Sequence, residues 1–366
     1  MRFADSETQR LLRSTARSYL ESTFPWDRLY AFEAGQERIT DEDLARLAAL
    51  GWLGLLAPES AGGGGASLLE AAAIIEEFGY AAVPAPVTVS NIAAHLLAQG
   101  DARTIAEHLA SLAAGKRVYT ISEATRRRGA QALSAANGRL NGTLPRVPFA
   151  DAASFVLAPL VLDGRPAYAA LSLEGVQREQ VSMLDPSTYV NVHFQGGELE
   201  RSLVLATGEQ GEQLHERCDA LVTAFSLIEL SGMMQRILEM TTAHVSQRVQ
   251  FGQPIAKFQA ARHRVAELLT QTETTRWSAY HALWRFQRDP LDTEEIWLAK
   301  HWAVRAADRV YQISHLLHGG VGAGMEHPLH LYTQRLAAFA VHGGTMNEMV
   351  ARTIARLGQI PVRTRA

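Results

Sequence analysis

The first third of the chain carries hydrophobic residues at helical spacing. Leu44 and Leu47 lie three positions apart, and a second run with the same spacing includes Ile75 and Phe78. Residues three or four positions apart share one face of a helix. Glycine and proline interrupt the pattern at several points, where we expect helices to end. Residues 1–116 are therefore predicted to form an N-terminal helical domain.

The pattern changes in residues 117–207, where short runs rich in β-branched and aromatic residues alternate with turn signals, as is typical of strands. The clearest runs are 118–121, 154–157, 167–171, 190–194 and 203–205. Asn141-Gly142 and Asp163-Gly164 are dipeptides that favour tight hairpin turns between strands. We predict a middle β domain, a barrel or sandwich, over 117–207.

Long helical patterns return in the last part of the chain. They cover residues 218–247, 259–287, 293–317 and 347–356. Gly252 and Pro254 separate the first helix from the second, and Pro290 ends the second. Such a set predicts a C-terminal four-helix bundle within 208–366. Because helices and strands occupy separate stretches of the chain, a doubly wound parallel sheet is excluded.

Composition narrows the class of protein. The chain has 366 residues, 47% of them hydrophobic, and a formal net charge of -3. This balance gives no electrostatic reason to expect nucleic acid or an anionic membrane as a partner. The single cysteine, Cys218, cannot form an internal disulfide. No targeting segment is visible and the apolar stretches fall short of a membrane span, so we expect a cytoplasmic protein.

Two further patterns could indicate ligands. The glycine run at 62–65 lacks the Gly-Lys-Ser/Thr ending of a phosphate loop, and we interpret it as a flexible connection between helices. His315 and His318 could share a helix face, and so could His327 and His330. No cysteine cluster accompanies these histidines. We therefore predict no metal site.

Three segments carry a resemblance to the acyl-CoA dehydrogenase family that extends over nearly the whole chain. The segment 50–59, with the glycines and helix that follow it, resembles the N-terminal signature of that family. The sequence RVQFGQPIAKFQ at 248–259 is similar to the family's R-x-x-F-G-x-x-I-x-x-F-Q. Residues 318–322 and 326–332 resemble its Q-x-x-G-G-x-G motif and continuation. The resemblance implies the acyl-CoA dehydrogenase fold and its cofactor, FAD.

The resemblance also implies roles for particular residues. Five residues match positions that in the family contact the FAD diphosphate and adenosine across a subunit interface: Arg248, Phe251, Gln259, Gly319 and Gly320. A fixed guanidinium suits a diphosphate, and glycine lets the backbone approach it closely. The other interpretation of this segment is a surface arginine followed by a helix-breaking turn. We call these five residues the diphosphate edge.

The residues that would hold the flavin ring depart from the family pattern. The family's T-E-P-x-A-G-S-D loop corresponds to 122–129, where only Ser122-Glu123 is retained. Its W-I-T turn corresponds poorly to 146–150, and its motif glutamine falls on Leu316. Hydroxyl and backbone donors toward the ring are missing or altered. The chain's own flavin pocket is therefore not predicted to be complete.

The catalytic base of the family is also missing. Gly343 stands at the position of the catalytic glutamate, and Val222 stands at the alternative base position on the long helix. Neither side chain can accept a proton. Asp219 and Glu229 lie out of register with Val222 on that helix.

Two residues near Gly343 are further candidates for a relocated base. Glu348 follows Gly343 by more than a helical turn. His342 is a candidate because neutral imidazole can accept a proton, although a structural histidine at a helix end is the other interpretation. No catalytic residue is predicted.

These losses and retentions lead to three hypotheses. The leading hypothesis is that the chain is a subunit of a heteromeric (α2β2) acyl-CoA dehydrogenase, similar to those of bacterial steroid side-chain degradation. In such an enzyme a homologous partner subunit would supply the glutamate, and this chain would complete a shared FAD site. Its expected substrate is an acyl-CoA and its electron acceptor an electron-transfer flavoprotein or similar protein. The chain alone would be nearly inactive. The alternatives are a homo-oligomeric enzyme whose relocated base is His342, Glu229 or a substrate-bound water, and a flavin-free scaffold that binds acyl-CoA or protein.

Overall fold

The computed structural model describes residues 4–100, 102–122, 133–184, 186–340 and 354. Helices fill the first part, a sheet the middle and helices the remainder. This confirms the predicted order of helical, β and helical regions. Contacts divide the chain into two compact units. Unit 1 consists of Met1–Tyr30, Ala72–Val83 and Thr223–Ala366, and unit 2 of Ala31–Ala71 and Pro84–Val222. The predicted domain boundaries at 116/117 and 207/208 stay predictions.

Six helices precede the first strand of the sheet. They are α1 (Glu7–Thr23), α2 (Trp26–Glu33), α3 (Asp41–Ala49), α4 (Leu68–Ala81), α5 (Val87–Leu97) and α6 (Ala102–Ala113). Two of them begin with a capping box. Ser6 accepts from the Gln9 backbone N–H before α1, and Thr40 accepts from that of Asp43 before α3. Each box satisfies donors that the first helical turn leaves without a partner.

The glycine run at 62–65 forms a packed turn in unit 2 and not a loose connection. The Gly64 N–H donates to the Gly54 carbonyl and the Gly65 N–H to the Ala57 carbonyl, each over 2.9 Å. A Cβ on Gly63 would lie 2.3 Å from the Ala57 oxygen. Only a residue without a side chain fits at that approach.

Among the described residues, eight strands form one mixed sheet in unit 2. They are β1 (Tyr119–Ile121), β2 (Ser134–Ala136), β3 (Arg139–Pro148), β4 (Phe155–Leu162), β5 (Arg165–Ser172), β6 (Gln177–Val181), β7 (Tyr189–Glu198) and β8 (Leu203–Thr207). Their order is β6-β7-β3-β2-β4-β5-β8, with β1 paired parallel to β4. Val147, Val156 and Val192 are fully buried in its core.

The turns of the sheet correct one prediction and confirm another. Asn141 and Gly142 lie inside β3, where they pair with β7, so they are not a hairpin turn. The turn before β3 is the other Asn-Gly pair, Asn137 and Gly138, with φ of 51° and 74°. Asp163-Gly164 joins β4 to β5 as predicted, with φ of 45° and 81°. Positive φ at both central residues is the geometry that favours Asn-Gly and Asp-Gly in hairpins.

Four helices follow the sheet in the part of the chain that the structure describes. They are α7 (Glu209–Gln247), α8 (Gln259–Arg288), α9 (Glu294–His318) and α10 (Leu329–Phe339), with a hairpin of β9 (Val249–Gln250) and β10 (Gln253–Pro254) between α7 and α8. The predicted helix at 347–356 lies, apart from Ile354, outside the described residues. By length and composition α7 could cross a membrane, but 67% of its apolar window is buried inside the protein, as in a core helix.

Within unit 1, α4 and α7 approach each other closely. A Cβ on Gly232 would lie 2.0 Å from the Glu76 carbonyl oxygen, and a Cβ on Gly79 would lie 2.1 Å from the Glu229 carbonyl oxygen. Real Cβ atoms do not come so near to backbone. The two glycines therefore set the separation of these helices.

A buried ionic cluster joins α1, α4 and α8 of unit 1. It consists of three carboxylates and three guanidinium groups: Asp5, Glu76, Glu77, Arg13, Arg17 and Arg276. Its central carboxylate, Glu76, is 4% exposed and accepts from Arg276 Nε and from the Tyr280 hydroxyl, each over 2.8 Å. Burial alone would raise the pKa of Glu76, but the neighbouring Arg13 and Arg276 outweigh it and hold that pKa below its usual value.

Candidate functional site

The hairpin between α7 and α8 presents the first part of the diphosphate edge. The Arg248 carbonyl accepts from the Ile255 N–H over 2.9 Å, which closes the base of the hairpin. Phe251 and Gly252 occupy its two turn positions with φ of 52° and 79°. Such a left-handed pair suits glycine well and phenylalanine poorly. The Phe251 ring is nevertheless 92% exposed at the tip.

Gln259 begins α8 after a short 3-10 turn (Ile255–Lys257) that follows this hairpin, and its side chain is exposed. Arg248 is exposed as well. The Phe258 ring meets that of Phe251 edge to face at 6.1 Å. All three residues predicted for this segment thus face outward from unit 1.

The end of α9 presents the second part of the edge. Gly319 terminates the helix with φ of 60°, and its N–H donates to the His315 carbonyl. A Cβ on Gly319 or on Gly320 would meet no atom within 4 Å, so the backbone there is open to an approaching group. Gly322 differs, because its Cβ would lie 2.6 Å from that of His318. Gly319 and Gly320 therefore leave room for a group outside the protein, whereas Gly322 allows the turn to pack on α9.

Three histidines connect these two parts of unit 1. The His244 ring in the last turns of α7 stacks on the His318 ring at the end of α9, with centroids 4.5 Å apart and planes inclined by 29°. The His327 ring, just before α10, meets His318 edge to face at 4.9 Å. Arg248 follows His244 by one turn and Gly319 follows His318 directly. We call His244, His318 and His327 the imidazole stack, and it holds the two predicted motifs beside each other.

Hydrogen bonds fix the protonation pattern of the stack. His318 Nδ1 lies 2.8 Å from the Ser314 carbonyl, which can only accept, so the proton is on Nδ1. Its Nε2 is buried without a hydrogen-bond partner among the described residues. His327 Nδ1 accepts from the Leu329 N–H over 3.2 Å, which leaves its proton on Nε2.

The surroundings of the stack favour neutral imidazoles. Burial, together with the neighbouring His244 and His327, lowers the pKa of His318 to about 4 despite the hydrogen bond to Ser314. Burial likewise lowers the pKa of His244, and Arg248 adds to that effect. The stack is therefore uncharged near neutral pH in the free protein. Among the described residues no group of three or more His, Cys, Asp or Glu side chains is placed to hold a metal ion.

The geometry of the diphosphate edge fits a diphosphate approaching from outside. The guanidinium of Arg248 is exposed, and the backbone at Gly319 and Gly320 is open. An exposed guanidinium and a backbone without a Cβ suit the close approach of phosphate oxygens. His244 was missed by the sequence reasoning, because a single histidine one turn before an arginine carries no signal until its contact with His318 is seen.

The predicted base positions offer no proton acceptor in the described part of the chain. Val222 is a half-buried hydrocarbon side chain on α7. Asp219 lies one turn before it, 3.6 Å from His215 Nε2, and Glu229 lies about two turns after it. Gly343, and the candidates His342 and Glu348, lie outside the described residues.

The segment predicted to lie under a flavin ring belongs to the core of unit 2. Val147 and Pro148 are buried and pair with Val190 and Tyr189 of β7. The Pro148 carbonyl accepts from the Thr120 hydroxyl. No side-chain hydroxyl projects from 146–150. The loop 123–129 lies outside the described residues.

Comparison with known proteins identifies the fold and the family. FadE27, an acyl-CoA dehydrogenase of Mycobacterium tuberculosis, is 28% identical over 85% of this chain and 87% of its own. One solved structure, the ChsE4-ChsE5 complex from Mycobacterium tuberculosis, has a TM-score of 0.89 at 23% identity over 99% of this chain and 100% of the other. Another, a variant of the Tcur3481-Tcur3483 steroid ACAD, has a TM-score of 0.87 at 22% identity, covering 96% and 98%.

The sequence also matches the models of two domains that belong to one enzyme family. Residues 6–116 match the acyl-CoA dehydrogenase N-terminal domain, and residues 224–358 match the acyl-CoA dehydrogenase C-terminal domain. Together the matches cover well over half of the chain. The matched segments lie before and after the eight-stranded sheet. The chain belongs to the acyl-CoA dehydrogenase family.

Proposed function

We propose that this chain is a subunit of a heteromeric, flavin-dependent acyl-CoA dehydrogenase in which it completes the FAD site of a homologous partner. FAD is the cofactor of this family, and when bound it accepts the hydride from the β-carbon of the acyl group. The partner would supply the glutamate that removes the α-proton. This chain would supply the diphosphate edge.

The observation that carries the proposal is the outward orientation of the edge. Arg248, Phe251, Gln259, Gly319 and Gly320 are all exposed on unit 1, and the imidazole stack links the two elements that bear them. An exposed aromatic ring at a strained turn position is costly for an isolated protein. A molecule that lies against the edge from a neighbouring subunit would give that ring a contact.

The sequence at the base positions supports the same proposal. Glycine at 343 and valine at 222 leave this chain without a proton acceptor at either family position. Loss of a positioned base generally lowers the rate by about 10²–10⁴-fold. The chain alone is therefore expected to desaturate acyl-CoA very slowly, and its role is to bind and to orient.

The similar proteins favour a partner and a substrate class. One similar structure is a complex of two named chains, ChsE4 and ChsE5, and another is described as a steroid ACAD. We propose that this chain likewise pairs with an unlike homologue and that the substrate is the CoA thioester of a steroid side chain. Electrons would leave to an electron-transfer flavoprotein or a similar acceptor. We place the complex in the cytoplasm.

The test is flavin content per chain. The protein is purified alone and after co-expression with a neighbouring dehydrogenase-like gene, and flavin is measured by visible absorbance. We expect almost no flavin in the lone chain and half-stoichiometric flavin in the complex, with bleaching by acyl-CoA only in the complex. Full occupancy in the lone chain, bleached by an acyl-CoA, would favour the homo-oligomeric enzyme with a relocated base.

A matched pair of variants locates the contribution of this chain. Arg248→Gln removes the guanidinium of the edge, whereas Arg165→Gln removes an exposed arginine at the β4–β5 turn. We expect the complex with Arg248→Gln to lose flavin and the complex with Arg165→Gln to retain it. Flavin absent from every preparation, with acyl-CoA still bound, would support the scaffold hypothesis.

A further inference from the structure

The imidazole stack places a half-buried histidine, His244, beside the diphosphate edge. His244 lies in α7 about one turn before Arg248, which follows the last residue of that helix, and the Arg248 N–H donates to the His244 carbonyl over 2.8 Å. Of the three rings, that of His318 is only 4% exposed, whereas those of His244 and His327 are half-buried. Protonation is least costly where water still reaches the ring. His244 is thus the accessible ring nearest to the guanidinium of the edge.

The described groups that face His244 carry no negative charge. Arg248 follows the last residue of α7, the neutral His318 ring stacks on His244 from α9, and His327 approaches from the segment before α10. His315 and His330 stand behind them. A proton on His244 is disfavoured in the free protein because Arg248 is close and carboxylates are absent from these neighbours. A bound dianion would reverse that balance.

We propose that His244 is a further binding residue of the diphosphate edge, and that it takes up a proton when a diphosphate binds beside Arg248 and Gly319-Gly320. The resulting imidazolium, stacked on the neutral ring of His318, adds a second positive charge to the edge. This inference rests on the proposed function, because it assumes that FAD meets this edge. It names a residue outside the motif that carries the family resemblance.

Electrostatic attraction between the diphosphate and the ring supports such an uptake of a proton by His244. A negative charge close to an imidazole at a protein surface favours the protonated form of the ring. Screening by water weakens this attraction at the protein surface, so we expect FAD binding to become several-fold tighter as the pH falls. The diphosphate diester keeps its charge between pH 5 and 8, so the protein is the source of the pH dependence there.

The experiment is calorimetric titration of the flavin-stripped complex of this chain and its partner with FAD. Repeating it in buffers of different ionisation enthalpy gives the number of protons taken up. We expect uptake of part of one proton near pH 6.5, and a Kd several-fold lower at pH 5.5 than at pH 8. His244→Phe keeps a flat ring on His318 but cannot bind a proton. It should abolish the uptake and make the Kd independent of pH.

A second variant separates this inference from the function on which it rests. Arg248→Gln should weaken FAD binding at every pH. If Arg248→Gln weakens binding while His244→Phe shows the same uptake as the natural chain, or the natural chain shows none, then His244 is not a binding residue and the proposed function stands. If Arg248→Gln leaves FAD binding unchanged, or FAD does not bind, the edge does not meet the cofactor and both proposals fail.

Discussion

Two charged regions of unit 1 differ in whether their charged groups are paired within the protein. In the ionic cluster every guanidinium faces a carboxylate, and its central group, Glu76, also accepts from Tyr280 and Ser231. In the diphosphate edge Arg248 is exposed, the nearby imidazoles are neutral, and the glycine backbone is open. The first region satisfies its charges inside the protein, and the second presents them to the outside.

This difference separates residues that hold the fold from residues that await a ligand. A charge removed from water is tolerated only when it is paired and hydrogen-bonded. A cation kept at the surface next to an open turn is placed for an anion from elsewhere. Substitutions in the cluster should therefore change stability, and substitutions in the edge should change binding.

The largest effect is expected from Glu76→Gln. The cluster balances three carboxylates with three guanidinium groups, and this change leaves one buried positive charge in excess. Removing one partner of a buried charge pair costs about 3–5 kcal/mol. Urea unfolding measures the loss, and Glu42→Gln on the surface of α3 is the control, since its pair with Arg46 is exposed. Equal midpoints for the two variants would mean that the cluster does not stabilise the fold.

Acid should destabilise the protein through His318. The pKa of this residue is about 4 in the folded protein, below its usual 6.5, because the neutral ring is buried. Its contribution is therefore fully present above pH 6.5 and is lost as the pH falls from 6.5 toward 4, up to about 3 kcal/mol. Thermal unfolding across this range should show a flatter decline for His318→Phe. An unchanged slope would place the acid sensitivity elsewhere.

The next largest effect on stability is expected from Gly232→Ala, which we compare with Gly320→Ala in the same unit. Gly232→Ala would place a methyl group 2.0 Å from the Glu76 carbonyl oxygen, which is helix backbone and cannot move away easily. We expect a loss of about 1–3 kcal/mol from overpacking. Gly320→Ala meets no atom within 4 Å and should leave the unfolding midpoint unchanged while weakening FAD binding in the complex. A stable Gly232→Ala variant would show that α4 and α7 can separate at little cost.

The sequence was most informative where the pattern was long. The predicted helices at 259–287 and 293–317 differ from α8 and α9 by single residues at their ends. The sheet was harder to predict. The edge strand β6 is almost entirely polar and exposed, so it has no alternation, and two Asn-Gly pairs compete for the turn near β3. Local pattern cannot decide between equal turn signals when pairing with a distant strand selects one of them.

The candidate site was predictable only in pieces. The resemblance identified Arg248 and Gly319, and the structure places both outside the core as a ligand edge requires. The contact of His244 with His318 joins residues far apart in the chain, so periodicity and motif spacing do not reveal it. Each histidine on its own is an ordinary helix residue.

The last prediction concerns Phe251→Asn, which is expected to change stability only slightly. It is the sharpest test of the distinction between residues that stabilise the fold and residues that bind a ligand. Residue 251 has φ of 52° in a two-residue hairpin turn followed by Gly252 at 79°. Asparagine tolerates this conformation better than phenylalanine, and Asn-Gly is the favoured pair for such a turn. The free chain should therefore gain a few tenths of a kcal/mol, up to about 1. The 92% exposed ring contributes little packing within the chain that would be lost.

The same substitution should weaken assembly, because the ring is the largest apolar group of the edge. Urea unfolding of the lone chain and flavin retention by the complex measure the two effects separately, with Phe258→Leu as a control that keeps the strained turn. A more stable chain with less flavin in the complex means that the strain at Phe251 is retained for a contact outside this chain. If the variant instead unfolds more easily and the complex keeps its flavin, then Phe251 belongs with the residues that hold the fold, and the outward-facing edge loses its largest apolar contact.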